Sequence, residues 1–167
     1  MNLYLQEPEN PEAPSLLEEL LSACDGALSG GGAFAWMTEN GLRLLLEAES
    51  FRSFCRRGVF DLVVGVDAIT NVRALDKLTG LMDTLPTLNA SVFLHDRPRT
   101  IFHPKVCWFR KPKSGVLVAG SGNLTLGGLC GNWEAFTVTE ISLREMNALE
   151  RKWAEWRVRN ERFLRTP

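Results

Sequence analysis

A histidine and a lysine stand two residues apart in the chain, at a spacing that could bind and attack an anion. They are His103 and Lys105, and they interrupt an apolar stretch from Phe102 to Phe109. This pattern predicts a buried strand that carries two polar residues. Because side chains two residues apart in a strand point to the same face, we expect the imidazole and the ammonium to lie side by side.

A second polar cluster follows the next apolar run, residues 116–119, which also predicts a strand. That strand ends in a glycine-flanked turn that carries Ser121 and Asn123. A cation, an imidazole and a small amide that meet at strand ends form a candidate phosphate site. Each part also has an ordinary interpretation, a hydrogen-bonded core histidine or a common turn, so the inference depends on the order and spacing of the whole set.

Three segments of the chain resemble the signature of the phospholipase D-like superfamily. They are His103-Pro104-Lys105, the turn at 120–125, and Asn132-Trp133-Glu134. They match His-x-Lys, then Gly-Ser-x-Asn, then a downstream acid. The resemblance is strongest to the small bacterial nuclease branch, which includes the catalytic domain of a metal-independent restriction endonuclease. The fuller motif places Asp five residues after the lysine, where this chain has Arg110.

The resemblance implies a role for each residue of the motif. His103 is expected to be the nucleophile that forms a phosphohistidine, and Glu134 is expected to hold its other ring nitrogen. Lys105 and Asn123 would bind the non-bridging oxygens, and Ser121 would help to shape the phosphate pocket. No metal or other cofactor is expected. Family members with one motif copy pair two chains, so the resemblance also implies a homodimer in which both His103 side chains face one phosphate.

The predicted fold class is α/β, with a mixed, mostly parallel central sheet, helices on both faces and the phospholipase D-like arrangement. Residues 59–66 predict a central parallel strand that is apolar on both faces. Asp67 and Thr70 follow it, at the end of a strand where open α/β sheets place ligand sites, and Thr70 could equally cap the next helix. A short helix predicted at 124–129 would direct its N-terminus at the site.

The chain of 167 residues predicts one domain. Residues 1–14 are proline-rich and acidic and predict an N-terminal arm, in which residues 3–5 could add an edge strand. Residues 15–167 predict a single catalytic domain. Ser15 and Glu18 have the spacing of a capping box at the start of its first helix.

Charge is unevenly distributed along a chain whose formal net charge is -1. Residues 1–25 contain acids but no lysine or arginine, whereas residues 97–113 contain bases but no acid. Surface charge often serves only solubility, but proximity to the motif favours contacts with a phosphate backbone. The predicted nucleic-acid-binding residues are Arg97, Arg99, Arg110, Lys111 and Lys113.

The cysteines and the hydropathy pattern suggest a cytoplasmic location. The four cysteines contain no Cys-x-x-Cys pair, so a zinc site is not expected. No secretory signal is expected from the acidic N-terminus. No apolar run approaches the roughly 20 residues of a membrane helix, so no membrane partner is expected.

Three functions compete on this sequence. The first is a metal-independent nuclease or phosphodiesterase that acts on DNA rather than RNA, in restriction or another defence system, with recognition supplied by a separate domain or partner. The second is a lipid phosphodiesterase or phosphatidyltransferase. The third is a non-catalytic module for phosphate or nucleic-acid binding or for dimerisation. The complete set of motif residues favours the first.

Overall fold

Eight strands and five α-helices make up the part of the chain that the computed structural model describes, residues 1–66 and 70–167. Asp67, one of the sequence-predicted ligand positions, lies outside these residues. The elements in chain order are β1 (Asn2–Gln6), α1 (Leu16–Cys24), β2 (Ser29–Phe34), α2 (Glu39–Leu46), α3 (Glu49–Cys55), β3 (Val59–Gly65), α4 (Val72–Thr84), β4 (Leu88–Phe93), β5 (Lys105–Arg110), β6 (Ser114–Gly120), β7 (Glu134–Ser142), α5 (Leu143–Arg159) and β8 (Leu164–Arg165).

All eight strands belong to one sheet, in the order β1-β7-β6-β5-β2-β3-β4-β8. Only β2 with β3 and β3 with β4 are parallel among the described strands, and the other five neighbouring pairs are antiparallel. The prediction of a mostly parallel sheet was therefore wrong. Helical crossovers connect only β2, β3 and β4, whereas β5 and β6 are joined by a short turn, and a turn of that length reverses the chain.

Helices cover both faces of the sheet, as predicted. On one face, α1 to α4 enclose the larger core, which includes Leu20, Leu45, Phe51 and Phe60. On the other face, α5 packs Trp153 and Trp156 against a smaller cluster that contains Ala33, Val63, Phe93 and Phe102. Among the described residues, no helix combines the length and the apolar character needed to cross a bilayer.

The capping box predicted at the start of α1 is confirmed. The Ser15 hydroxyl accepts the Glu18 backbone N–H in a complete capping box, and Ser142 and Glu145 form a second one at the start of α5. Thr70 does not cap α4, because the Asn71 side chain accepts the N–H of Ala74 at that position. Thr70 instead donates to the Gly65 carbonyl oxygen and accepts the Met37 N–H.

The short helix predicted at 124–129 is displaced along the chain. Leu124 forms a parallel bridge with Met37, and the only helical turn in this segment is a π-helix at Gly127–Gly131. Pairing with Met37 keeps the backbone at Leu124 extended, so no helix begins directly after Asn123. The expectation that a helix N-terminus supplies phosphate donors there was therefore wrong.

Arg110, which replaces the motif aspartate, joins the sheet to α5. Its Nε donates to Glu150 Oε1 at 2.9 Å, and its Nη2 donates to Glu150 Oε2 and to the Asn147 side-chain oxygen. The two charged side chains are 22% and 34% exposed. A bidentate pair of this kind has geometric specificity that a single contact lacks. The residue therefore holds α5 against β5 in this fold.

Gln6 is the one buried polar residue of the core, at 3% exposure, among the described residues. Its side-chain oxygen accepts the N–H of Leu16 at 2.8 Å, one of the donors that the first turn of α1 leaves unpaired. Its amide nitrogen donates to the Asn132 carbonyl oxygen at 2.8 Å. Gln6 thus ties the start of α1 to the segment that leads into β7.

We expect Gln6→Leu to lower the free energy of unfolding by about 1–3 kcal/mol, because it leaves a buried donor and a buried acceptor without partners. Urea denaturation followed by circular dichroism measures the change. Asn2→Leu is the matched control, since Asn2 lies on the same strand but is exposed. A loss no larger than that of the control would show that water satisfies both groups.

Candidate functional site

The ends of four neighbouring strands, β7, β6, β5 and β2, lie on one side of the sheet and bring the predicted residues together. Lys105 begins β5, with His103 two residues before it, and Ser121 and Asn123 follow the end of β6. Glu134 begins β7, which runs antiparallel to β6. The end of β2 lies beside the start of β5, where Phe34 is opposite Lys105. The antiparallel order therefore places the two halves of the motif side by side.

His103 and Lys105 are in contact, but the strand predicted from residue 102 begins only at Lys105, so His103 lies before the strand and not on its face. The Lys105 Nζ lies 3.0 Å from each ring nitrogen of His103 and 3.3 Å from the His103 carbonyl oxygen. A position equally close to both nitrogens is not along the lone pair of either one, because the two lone pairs diverge. The imidazole is exposed, and the lysine is half-buried. The Lys105 ammonium and the solvent-accessible His103 imidazole therefore lie next to each other.

Burial lowers the pKa of the Lys105 ammonium from its ordinary value, and the negative charge of Glu134 opposes this shift. A lysine that loses its proton more readily than a surface lysine also loses its affinity for anions at a lower pH. The Glu134 carboxylate thus favours the charged form of the Lys105 ammonium.

The Asn123 side chain has a defined orientation. Its Oδ1 accepts the backbone N–H of Trp36 at 3.3 Å, which leaves the amide nitrogen to donate elsewhere. Gly122 and Gly128 make this turn possible, because a Cβ on Gly122 would collide with the Gly128 carbonyl oxygen and a Cβ on Gly128 with the Asn123 backbone. The turn therefore holds the Asn123 amide in one orientation for a structural reason.

Glu134 forms hydrogen bonds with two neighbours, and neither of them is His103. The Ser121 hydroxyl donates to its Oε2, and the Asn132 side-chain amide donates to its Oε1 at 3.3 Å. Ser121 Oγ also accepts the Ala135 N–H at 3.1 Å. No hydrogen bond joins the carboxylate to His103 among the residues described. The predicted roles of Glu134 as the acceptor for the imidazole and of Ser121 as a phosphate ligand stay predictions.

The predicted nucleic-acid-binding residues fall into two groups that the structure separates. Arg97 and Arg99 are exposed in the loop that leads to His103. Arg110, Lys111 and Lys113 lie around the opposite end of β5, about 17 Å away for a strand of this length. Arg110 is paired with Glu150, and Lys111 donates to the Asp25 carbonyl oxygen. Only the first group is close to His103.

Trp36 is a residue of the site that the sequence did not single out. Its indole ring is edge-on to the His103 imidazole, with ring centroids 5.3 Å apart and an interplanar angle of 72°. The Lys105 Nζ lies 5.7 Å from the centre of the same indole. The only available signal was its place near the end of a glycine-rich apolar segment, residues 27–37, that predicts a strand, and an ordinary core tryptophan would share that place.

No group of three or more His, Cys, Asp or Glu side chains in the described part of the chain is arranged to hold a metal ion. The arrangement that is present, an ammonium in contact with an accessible imidazole, can bind a tetrahedral anion and attack its central atom.

We expect affinity for inorganic phosphate to fall on the alkaline side at a pH below about 10.4, the ordinary pKa of lysine, because only the ammonium form of Lys105 binds the anion. Glu134→Gln removes the charge that raises the pKa of Lys105, so the midpoint should move to lower pH. Calorimetric titration across pH measures it.

Glu140→Gln is the matched control for this prediction, because Glu140 lies on the same strand at its distant end and is exposed. A change in phosphate affinity at neutral pH does not test the effect of Glu134 on the pKa of Lys105, because only the pH midpoint of binding reports that pKa. A midpoint that Glu134→Gln leaves in place or moves upward would show that Glu134 does not govern the charge of Lys105.

No protein-family model matches the chain, and no curated protein matches it in sequence. Solved structures do match. Nuc from Salmonella typhimurium, a phospholipase D family member, is similar with a TM-score of 0.68 and 16% identity over 99% of this chain and 97% of that one. NucT from Helicobacter pylori is similar with a TM-score of 0.65 and 15% identity, over 95% of each chain.

A variant of yeast tyrosyl-DNA phosphodiesterase is also similar, with a TM-score of 0.58 and 14% identity. The match covers 84% of this chain but only 32% of that much larger protein. At these identities the likeness concerns the fold. The chain therefore has the fold found in the phospholipase D family member Nuc, over nearly the whole length of both proteins.

Proposed function

We propose that the protein is a metal-independent phosphodiesterase, and specifically a nuclease that cleaves DNA. The observation that carries the proposal is the contact of Lys105 Nζ with the His103 ring at 3.0 Å, at the end of the sheet where the turn that carries Asn123 also lies. A phosphodiester placed there would meet a cation, an amide donor and a nucleophile together. Electrostatic stabilisation of the developing charge would then come from fixed side chains.

The proposed reaction has two displacements. A neutral imidazole nitrogen of His103 forms a bond to phosphorus while the bond from phosphorus to the leaving oxygen breaks, and an acid protonates that oxygen. Water then attacks phosphorus, the phosphorus–nitrogen bond breaks and His103 leaves, while the former acid takes the proton of the water. Lys105 and Asn123 hold the non-bridging oxygens during both steps.

The acid for the leaving oxygen is proposed to come from a second copy of the chain. The chain has two histidines, and the other one, His95, lies outside the motif. In a symmetric dimer, His103 of one copy would attack while His103 of the second copy donates the proton. This arrangement agrees with the resemblance to single-motif family members and with the exposed position of His103 at the sheet edge.

DNA is the proposed substrate for two reasons. Tyrosyl-DNA phosphodiesterase, one of the structures with a similar fold, acts on a DNA-linked phosphodiester by its name. The exposed Arg97 and Arg99 would contact phosphates beside the scissile one. In the distant group, Arg110 is paired with Glu150, so only Lys111 and Lys113 are proposed to contact DNA. The contact of Lys111 is expected to be the weaker one, because its ammonium also donates to the Asp25 carbonyl oxygen. Selection of a target sequence is left to a separate domain or defence-system partner.

We expect cleavage of plasmid and single-stranded DNA in excess EDTA, together with turnover of bis(4-nitrophenyl) phosphate. His103→Ala should reduce each rate by at least about 10³-fold, because the covalent nucleophile is lost. His95→Ala is the matched control and should remain within a few-fold of wild type. Gel assays and nitrophenolate release measure the rates.

Two results would contradict this proposal in different ways. Activity that EDTA abolishes and a divalent cation restores would require a metal mechanism. Absence of turnover with any substrate, from folded protein that still binds phosphate, would favour the non-catalytic binding module.

The shared site makes a separate prediction about mixtures. When wild type and His103→Ala are refolded together at constant total concentration, activity should fall as the square of the wild-type fraction, because a dimer with one His103 lacks either nucleophile or acid. Mixtures with Glu140→Gln should keep full activity. A linear fall would mean that each chain carries a complete site.

A further inference from the structure

We propose that Trp36 is a positioning residue, which holds the His103 imidazole and the Asn123 amide in the geometry that phosphoryl transfer needs. The inference rests on the proposed function for its catalytic consequence, but its geometric content can be tested without any turnover. Trp36 contacts all three of the side chains proposed to bind or attack phosphate.

The first contribution comes from the backbone. Past the end of β2, the chain leaves β3 and β5 and pairs with the turn after β6. The Trp36 carbonyl oxygen accepts the Leu124 N–H at 3.1 Å, and the Thr38 N–H donates to the Leu124 carbonyl oxygen at 3.0 Å. These bonds fix the position of Trp36 relative to Asn123. Its own N–H can therefore hold the Asn123 oxygen and leave the amide nitrogen for a ligand.

The second contribution comes from the indole ring. His103 precedes β5 and is exposed, and Lys105 supplies the only hydrogen bonds to its ring among the described residues. A flexible lysine cannot by itself restrict the rotation of an exposed imidazole. The edge-on contact with Trp36, at 5.3 Å, limits the directions in which the ring can point. A nucleophile held near its attack direction avoids an entropic cost at each turnover.

The indole nitrogen indicates that the aromatic ring, and not its hydrogen bond, is what the site uses. Trp36 Nε1 is buried and has no hydrogen-bond partner in the described structure. An unpartnered buried donor destabilises the fold, and phenylalanine would avoid that cost while keeping an aromatic edge. The proposal therefore distinguishes two substitutions at one position, Trp36→Phe and Trp36→Leu.

The first test is spectroscopic and needs no substrate. With ring-labelled histidine, the protein has only two imidazoles to observe, and His103→Gln assigns them. We expect nuclear Overhauser effects between the Trp36 and His103 rings in wild type, and side-chain couplings of His103 that correspond to one rotamer. Trp36→Phe should keep the single rotamer, whereas Trp36→Leu should average it. Trp36→Met serves in place of the leucine variant if that variant does not fold.

The second test is kinetic. With bis(4-nitrophenyl) phosphate, Trp36→Leu should lower kcat by roughly tenfold or more while KM changes less, because orientation and not affinity is lost. Trp36→Phe should stay within about threefold of wild type and should be at least as stable to heat. The averaged His103 rotamer of Trp36→Leu, together with a loss in kcat rather than in KM, is the result that a role in packing volume alone would not produce.

The proposal is overturned if wild type shows no contact between the two rings, or if Trp36→Leu keeps a single His103 rotamer and a wild-type kcat. It is also overturned if Trp36→Phe loses activity as severely as Trp36→Leu. Failure of the proposed function would give a different result. Neither wild type nor any variant would turn over substrate, but the His103 rotamer would still differ between wild type and Trp36→Leu.

Discussion

A short parallel contact between Met37 and Leu124 is the constraint on which the site depends. It joins the end of β2 to the turn after β6, two segments that the sheet itself separates by β5. Two backbone hydrogen bonds and one to the Asn123 side chain accompany it. Gly41 makes room for this turn, since a Cβ there would overlap the Leu124 carbonyl group. The end of the sheet that carries Lys105 is therefore held by paired backbone on both sides.

Charge at this edge is arranged for an anion that arrives from solvent. The half-buried Lys105 pays a desolvation cost that lowers its pKa, and one carboxylate, Glu134, partly offsets it. That carboxylate is itself hydrogen-bonded to Ser121 and Asn132, which restrains it beside the lysine. A partly buried ammonium attracts an anion more strongly than a fully exposed one, because less water screens its charge.

The departure from the family motif at Arg110 has a structural meaning in this chain. The guanidinium reaches Glu150 and Asn147 on α5, so the residue stabilises the distant end of β5 and leaves the His103 end unchanged. Nothing in the contacts of His103, Lys105 or Asn123 involves it. The substitution is thus compatible with an intact site, because the two ends of the strand serve different purposes.

Sequence alone determined the features that depend on near neighbours in the chain. The capping box at Ser15 and the apolar central strand at 59–65 follow from residues close together in the chain. Such spacings specify which side chains meet, because the geometry of a helix or strand repeats over that distance.

Tertiary structure decided what depends on residues far apart in the chain. Trp36 meets Asn123 across 87 positions, Arg110 meets Glu150 across 40, and Gln6 meets Asn132 across 126. The direction of β5, β6 and β7 was likewise undetermined, because apolar periodicity is the same in parallel and antiparallel strands. Local spacing carries no information about which distant strand becomes a neighbour, so only the folded sheet could place an indole beside the histidine.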